Sequence, residues 1–191
     1  MNLDGTGIMG YLEIPKISVR LPIYHGTGED SLQHGVGHLA GTSLPVGGLG
    51  THSVLSAHRG LPSALLFTDL DQVQTGDRFY LSILRDTLVY EVDQVLVVTP
   101  DEVSALRADP AEDYVTLVTC TPYGVNSHRL LVRGHRVEET AEEAPPAITP
   151  VSQLARSLGW RAKLLIALGA VFGFLLVVLI VRAAMRKHGK K

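Results

Sequence analysis

Short stretches in which apolar and β-branched residues alternate with polar ones recur along the first 138 residues of the chain. A hydrophobic period of two is typical of half-buried β-strands. It predicts strands at 10–14, 19–24, 52–58, 79–84, 88–98, 115–119 and 128–137. Many short strands with few helices favour a mainly β domain, either a closed barrel or a sandwich.

The segments between these strands are less regular. Residues 25–50 are rich in Gly and His and predict a loop with short helical turns, and residues 61–71 predict a short helix or two turns. Residues 100–108 predict a helix, since Asp101 and Glu102 fall in its first turn, where the helix dipole favours negative charge.

The pattern changes after residue 138. Residues 139–153 are acidic and rich in proline, which predicts an extended linker. Residues 164–181 are eighteen consecutive positions without a charge, about 27 Å as a helix and close to the hydrocarbon thickness of a bilayer. We therefore expect a transmembrane helix at 160–183 and a basic tail at 184–191. The excess of Lys and Arg on the C-terminal side predicts a cytoplasmic tail and an extracellular domain at the cell membrane.

Composition narrows the possible functions. The 191 residues carry a net charge of −2, and Lys and Arg are scattered except at the extreme C-terminus, so nothing points to a nucleic acid partner. The single cysteine excludes an internal disulfide and any site with several cysteine ligands. His34 and His38 have the spacing of helical metal ligands, but Gly35 and Gly37 argue against a helix there. We expect neither a metal nor a cofactor.

The candidate chemistry lies at the ends of three predicted strands. Cys120 follows the strand at 115–119, and Pro122 and Gly124 mark a turn just after it. Arg129 opens the next strand, and a hairpin of this length can place it beside Cys120. His58 ends the strand at 52–58. A thiol, an imidazole and a guanidinium at strand ends indicate thiol-based acyl transfer, in which a thiolate forms a thioester with an acyl group.

Each of these residues also has a plainer interpretation. Cys120 could be a buried small hydrophobe, His58 a surface histidine at a turn, and Arg129 a solvated charge in a hairpin. Thr119 and Thr121 flank the thiol. Their hydroxyls could help place substrate or His58, and strand packing explains both threonines equally well.

Three separated motifs resemble one family. The run 116–120, TLVTC, matches the TLxTC signature of the sortases, the cysteine transpeptidases of Gram-positive cell surfaces, and the match continues through residues 121–136. Residues 58–70 resemble the catalytic-histidine segment of the class C, pilus-assembling branch, as residues 7–17 resemble its start. The resemblance covers residues 5–138 and makes residues 1–138 a sortase catalytic domain.

The resemblance implies a fold and an activity. Sortases are closed β-barrels of about eight strands that cleave an LPxTG-type sorting signal between Thr and Gly and pass the acyl group to an amine. Cys120 is then the nucleophile, Arg129 holds substrate and steadies the oxyanion, and His58 exchanges protons with the departing and incoming amines. In class C the amine is a lysine of a pilin subunit, so the implied partners are LPxTG-type surface proteins or pilins and a lipid membrane.

Two features depart from the class C pattern. The chain shows no hydrophobic leader and no lid with an Asp-Pro-aromatic anchor before Gly10. We therefore expect an in-frame leader upstream of Met1, with the lid either encoded there or lacking from this enzyme. Second, Ser56 and Ala57 precede His58 where Thr-Gly is expected. A wall-anchoring sortase of another class and a non-catalytic, membrane-tethered β-barrel scaffold remain the alternative functions.

Overall fold

The computed structural model describes residues 7–61 and 64–138. These residues form eight β-strands, one short α-helix and three single turns of 3₁₀-helix. The strands are β1 Ile8–Ile14, β2 Val19–His25, β3 Val36–His38, β4 Thr51–Ser56, β5 Arg78–Ile83, β6 Asp86–Val98, β7 Asp113–Thr121 and β8 His128–Val137. The helix α1 is Glu29–His34, and the 3₁₀ turns are Pro15–Ile17, Leu70–Gln72 and Ser104–Leu106.

The strands form a closed barrel in the order β1-β2-β3-β4-β7-β8-β6-β5, and pairing of β1 with β5 closes it. The eight-stranded, mainly β fold with short helices expected from the sequence is therefore confirmed. The pairs β2–β3 and β4–β7 are parallel, and the others are antiparallel. Because β4 and β7 run in the same direction, their C-terminal ends meet at the same edge of the barrel.

Alternation along each strand separates the barrel interior from its outer wall. In β7, Val115 and Leu117 belong to the core and are at most 1% exposed, whereas Thr116 and Val118 point outward. Phe79 of β5 and Tyr90 of β6 stack inside the barrel with ring centroids 5.5 Å apart. The interior is thus filled by side chains, so any substrate site must lie on the outer wall or at a barrel end.

The predicted loop at 25–50 contains a strand that the sequence pattern missed. Residues Val36–His38 pair with β2 on one side and β4 on the other. A Cβ atom on Gly35 would lie 2.4 Å from the Pro22 carbonyl oxygen, and one on Gly37 would lie 2.5 Å from the Gly26 carbonyl oxygen. This strand is three residues long and depends on close backbone approach, so no hydrophobic period announces it.

The predicted helix at 100–108 is wrong, because only Ser104–Leu106 form a single 3₁₀ turn. Pro110 has no amide proton with which to continue a helical ladder. The carbonyl oxygen of Arg107 instead contacts Nδ1 of His52 on β4, at 2.9 Å. Residues 99–112 therefore lie along the barrel wall as an irregular covering segment.

Two further expectations concern the end of the strand at 52–58 and the transmembrane helix. The strand predicted at 52–58 stops at Ser56, which leaves His58 in the loop that follows. No helix within residues 7–61 and 64–138 is long and apolar enough to span a membrane. The predicted linker at 139–153, the transmembrane helix at 160–183 and the basic tail at 184–191 lie outside the described residues.

Candidate active site

Cys120 and Arg129 are direct cross-strand partners. The β7–β8 register continues unbroken from Tyr114↔His135 to Thr121↔His128 and pairs Cys120 with Arg129. Directly opposed residues on antiparallel strands project from the same face, so both side chains point to the outer wall. The side-by-side placement expected from the hairpin length is confirmed, and the thiol is partly exposed.

The Arg129 guanidinium is held by its own hairpin. Its Nη1 donates to the carbonyl oxygens of Asn126, at 3.2 Å, and His128, at 3.0 Å. Asn126 adopts a left-handed conformation with φ of 59°, which turns the chain at this point. Two backbone acceptors therefore orient the guanidinium beside Cys120, and Arg129 has further N–H donors with which to bind an anionic oxygen.

His58 lies in the loop that follows β4, two residues after the end of that strand, and β4 pairs with the strand that carries Cys120. Ser56 is in register with Val118, and the Ala57 amide donates to the Val118 carbonyl at 3.2 Å. His58 and Cys120 therefore leave two neighbouring parallel strands at almost the same height. Adjacent strands lie about 4.8 Å apart, so the imidazole and the thiol emerge at one edge of the barrel.

The two threonines that flank the thiol make different contacts. Thr119 is 1% exposed, and its hydroxyl donates to the Ala57 carbonyl at 2.9 Å. It supports the residue before His58 and is too buried to touch substrate. Thr121 accepts a hydrogen bond from Nη1 of Arg59 at 3.0 Å. The hydroxyls could have helped to place either substrate or His58. Both observed contacts are with residues next to His58, namely Ala57 and Arg59.

An apolar cavity of about 250 Å³ extends along the outer wall and reaches Arg129. Its floor is formed by Val54 and Ser56 of β4, Val118 of β7 and Leu131 of β8, and the covering segment forms its other wall. Cys120 lies two positions beyond Val118 on the same face of β7. The cavity therefore leads along the barrel wall towards the thiol.

His52 fastens the covering segment to the barrel. It is 2% exposed, and its Nε2 contacts the Thr116 hydroxyl at 2.7 Å while Nδ1 contacts the Arg107 carbonyl. Burial lowers the pKa of His52 below its ordinary value of 6.5. The neutral imidazole thus donates to one group and accepts from the other, and holds the cavity wall in place. This role of His52 could not be predicted from the sequence, because its partners lie 55 and 64 residues away.

A family model described as Sortase domain matches residues 12–137 of this chain. The chain belongs to the sortase family. Sortases are cysteine transpeptidases, and the motif residues His58, Cys120 and Arg129 all lie within the matched stretch.

Individual proteins support the assignment. Sortase A of Streptococcus agalactiae is 30% identical over 138 residues, which cover 71% of this chain and 55% of that protein. Sortase C1 of S. agalactiae has a crystal structure with 59% identity and a TM-score of 0.71, covering 72% of each chain. Streptococcus pneumoniae Sortase C, solved in a study of its catalysis and pilin substrate specificity, is 53% identical with a TM-score of 0.70 and covers 73% and 72%.

These similarities place the chain in the class C branch. Both sortase C structures are more than half identical in sequence to this chain over the matched region. The chain spans about half the length of that sortase A.

Proposed function

We propose that this chain is a class C sortase that cleaves an LPxTG-type sorting signal between Thr and Gly and transfers the acyl group to an amine. The observation that carries the proposal is the pairing of Cys120 with Arg129 at the barrel edge where His58 also emerges. Nucleophile, oxyanion donor and proton carrier thus come from three strand ends, and their residue types match the reaction.

The first half-reaction forms a thioester. The Cys120 thiolate attacks the carbonyl carbon of the Thr–Gly bond, and a tetrahedral intermediate places negative charge on the oxygen. The Arg129 guanidinium, which stays protonated, donates to that oxygen. His58 in its protonated form gives its proton to the departing glycine nitrogen, so the C–N bond breaks and the acyl group stays on sulfur.

The second half-reaction returns the enzyme to its starting state. The incoming amine attacks the thioester carbonyl, and His58 takes a proton from the attacking nitrogen. Collapse of the tetrahedral intermediate expels the Cys120 thiolate and leaves an amide. A histidine side chain can both give and take a proton near neutral pH, and no metal or cofactor enters either step.

The apolar cavity beside Arg129 supports a peptide substrate of this type. Its volume of about 250 Å³ and its lining by Val54, Val118 and Leu131 suit the Leu and Pro side chains that begin the signal. A peptide lying there would present its later residues towards Cys120. We therefore assign the cavity to the sorting signal rather than to the acceptor amine.

A pilin lysine is the acceptor that we infer. The inference comes from the class C branch and from the Streptococcus pneumoniae relative, whose study concerns pilin substrate specificity. Wall anchoring by a sortase of another class is the alternative, because it would use the same three residues with a different amine. Acceptor competition between a pilin lysine peptide and an oligoglycine peptide separates the two.

We also propose that the enzyme works at the cell membrane, with its catalytic domain on the extracellular face. The uncharged run at 164–181 and the basic residues after it support this placement. Substituting Phe172 and Leu175 with lysine should release the full chain from lipid vesicles, because a charge at the centre of a spanning helix costs about 3 kcal/mol. Unchanged sedimentation with the vesicles would contradict the anchor.

Peptide cleavage tests the proposed activity. The full chain is incubated with a panel of LPxTG-type peptides and a lysine-containing acceptor, and products are identified by mass spectrometry. We expect an amide-linked product from the wild type and none from Cys120→Ala or His58→Ala, with His34→Ala as the matched histidine control. Binding of a peptide without cleavage, unchanged in Cys120→Ala, would instead support the non-catalytic scaffold.

A further inference from the structure

The side chain of Arg59, directly after His58, is almost completely buried. It is 8% exposed and makes three contacts in different directions. Nη1 donates to the Thr121 hydroxyl at 3.0 Å, Nε donates to the Thr68 carbonyl at 3.2 Å, and Nη2 pairs with the Asp71 carboxylate. A guanidinium stays charged in proteins, so burial of this kind is tolerated only with such partners.

These contacts connect the two halves of the candidate site. Arg59 is one residue beyond His58, and Thr121 is one residue beyond Cys120. The Arg59–Thr121 hydrogen bond therefore joins the two chain segments just past the imidazole and the thiol. On the other side of the same residues, the Thr119 hydroxyl donates to the Ala57 carbonyl. The two segments are thus fastened together one residue before and one residue after the reacting groups.

The other two contacts of Arg59 hold the loop that carries His58. Thr68 and Asp71 lie where this loop returns to the barrel. The Phe67 amide donates to the His58 carbonyl at 3.1 Å, and the Gly60 amide donates to the Thr68 hydroxyl at 3.2 Å. The guanidinium therefore connects the outgoing and returning parts of one loop to the end of β7.

The chemistry of the contact requires arginine. Three donors must diverge from one planar group towards a hydroxyl, a carbonyl and a carboxylate, and a lysine ammonium on a flexible stem does not reproduce that arrangement. Asp71 is 51% exposed, so the ion pair with it is screened by solvent. The contacts with Thr121 and Thr68 therefore fix the position of the loop relative to the end of β7.

We propose that Arg59 is a positioning residue that sets the separation of the His58 imidazole and the Cys120 thiol. Its side chain contacts Thr68, Asp71 and Thr121, and it acts through the loop and the strand end that it joins. The proposal rests on the catalytic roles proposed above for His58 and Cys120. A displacement of about 1 Å at a reacting centre can reduce turnover by roughly 100-fold, so a small loosening of this contact should be measurable.

Kinetics of full-chain variants give the first test. Arg59→Met removes all three contacts, and Thr121→Val removes only the hydroxyl acceptor while keeping the shape of the side chain. We expect kcat to fall about 10-fold to 100-fold in both, with KM changed less than about threefold, because orientation rather than binding is lost. Thr121→Ser should retain activity. A rise in KM at constant kcat would mean that Thr121 contacts substrate, and would overturn the positioning role.

Alkylation of Cys120 gives a second test that needs no substrate. The pH profile of iodoacetamide modification is compared with and without His58→Ala, in the wild type and in Thr121→Val. We expect His58→Ala to change the profile clearly in the wild type and much less in Thr121→Val. An equal change in both backgrounds would overturn the proposal, whether or not Arg59→Met folds.

A matched control separates this effect from general loss of stability. Arg78 of β5 donates through Nε to Glu91 of β6 at 3.0 Å, on two strands that do not pair with β7. Arg78→Met removes a partly buried arginine and its ion pair, and should leave both the alkylation profile and kcat within about twofold. If His58→Ala has no effect in the wild type, the imidazole–thiol pairing fails and the role of Arg59 fails with it. If that effect is present but Arg59→Met has the same alkylation profile and the same kcat as Arg78→Met, only the proposed role of Arg59 fails.

Discussion

Cys120 and Arg129 face each other because the β7–β8 hairpin pairs positions 120 and 129. The spacing in the sequence was enough to predict this contact, since the register of a hairpin follows from its loop length. The role of Arg59 was not predictable in the same way, because its partners lie 9, 12 and 62 residues away. The sequence motifs therefore nominate the groups to which we assign the reaction, and tertiary contacts point to the residue that we propose to position them.

Arg129→Lys tests the guanidinium directly. Arg129 contacts two backbone carbonyls through one nitrogen, and we propose that its other donors bind the substrate oxygen. A lysine ammonium cannot satisfy both tasks in one geometry, so we expect kcat/KM to fall at least about 10-fold although the charge is kept. Steady-state kinetics with a sorting-signal peptide measure the change.

Arg133→Lys is the control for that substitution. Arg133 lies on the same face of β8, four residues further along, where it binds Asp93 through two hydrogen bonds of 3.0 and 2.7 Å. Its replacement should lower the thermal stability and leave kcat/KM within about twofold. Equal kinetic effects of the two substitutions would remove Arg129 from the active site.

Regular strands were predictable, and irregular elements were not. The alternating pattern located seven of the eight strands, because a strand with one buried face must alternate. β3 was missed since three residues with a central glycine carry no pattern, and the expected helix at 100–108 is an irregular segment that His52 fastens to β4. Both errors arise from long-range backbone contacts that outweigh local propensity.

The His52 contact predicts a pH dependence of stability. Burial lowers the pKa of this imidazole in the folded protein, so the unfolded chain takes up its proton first as the pH falls. The contribution of His52 to stability is complete above the ordinary pKa of 6.5 and is lost as the pH falls below it towards the folded pKa. Urea denaturation between about pH 5 and pH 8, the range in which histidines usually titrate, should show this decrease in the free energy of unfolding.

Two variants identify the histidine responsible. His52→Gln cannot titrate, so its free energy of unfolding should fall less over the same pH interval than that of the wild type. His34→Gln replaces an exposed histidine and should follow the wild-type profile. Identical pH profiles for all three proteins would show that His52 does not titrate differently on folding.

At the scale of the whole molecule, the pattern of the sequence favoured a barrel or a sandwich, and the family resemblance chose the barrel. The strand order β1-β2-β3-β4-β7-β8-β6-β5 could not be deduced from alternation, which shows the faces of a strand but not its neighbours. The order has a functional consequence. It places β7, which contains Cys120, between β4, which leads into the His58 loop, and β8, which contains Arg129.

Packing of the barrel depends on Gly134 of β8. A Cβ atom at this position would lie 2.7 Å from the Phe79 ring and 3.1 Å from Cβ of Tyr90. Phe79 is fully buried, so Gly134→Ala should overpack the barrel interior and lower the free energy of unfolding by about 1–3 kcal/mol. Chemical denaturation measures the loss.

Relief of the clash makes that prediction specific. Phe79→Leu replaces the ring that meets the new methyl group with a shorter side chain. The double variant Gly134→Ala/Phe79→Leu should therefore be more stable than the sum of the two single effects predicts. Gly28→Ala, at a position with no atom within 4 Å of the added Cβ, is the control. Strict additivity of the Gly134 and Phe79 substitutions would contradict the packing account.

The most direct test of the proposed transpeptidase activity is intact-mass spectrometry of the full chain. The protein is incubated with an LPxTG-type peptide and then with an excess of a lysine-containing acceptor. We predict a mass increase equal to the acyl fragment, located on Cys120, that disappears on addition of the amine as an equal amount of amide product forms. A folded protein with a free thiol that shows no adduct with any sorting motif of a panel would contradict the proposed activity.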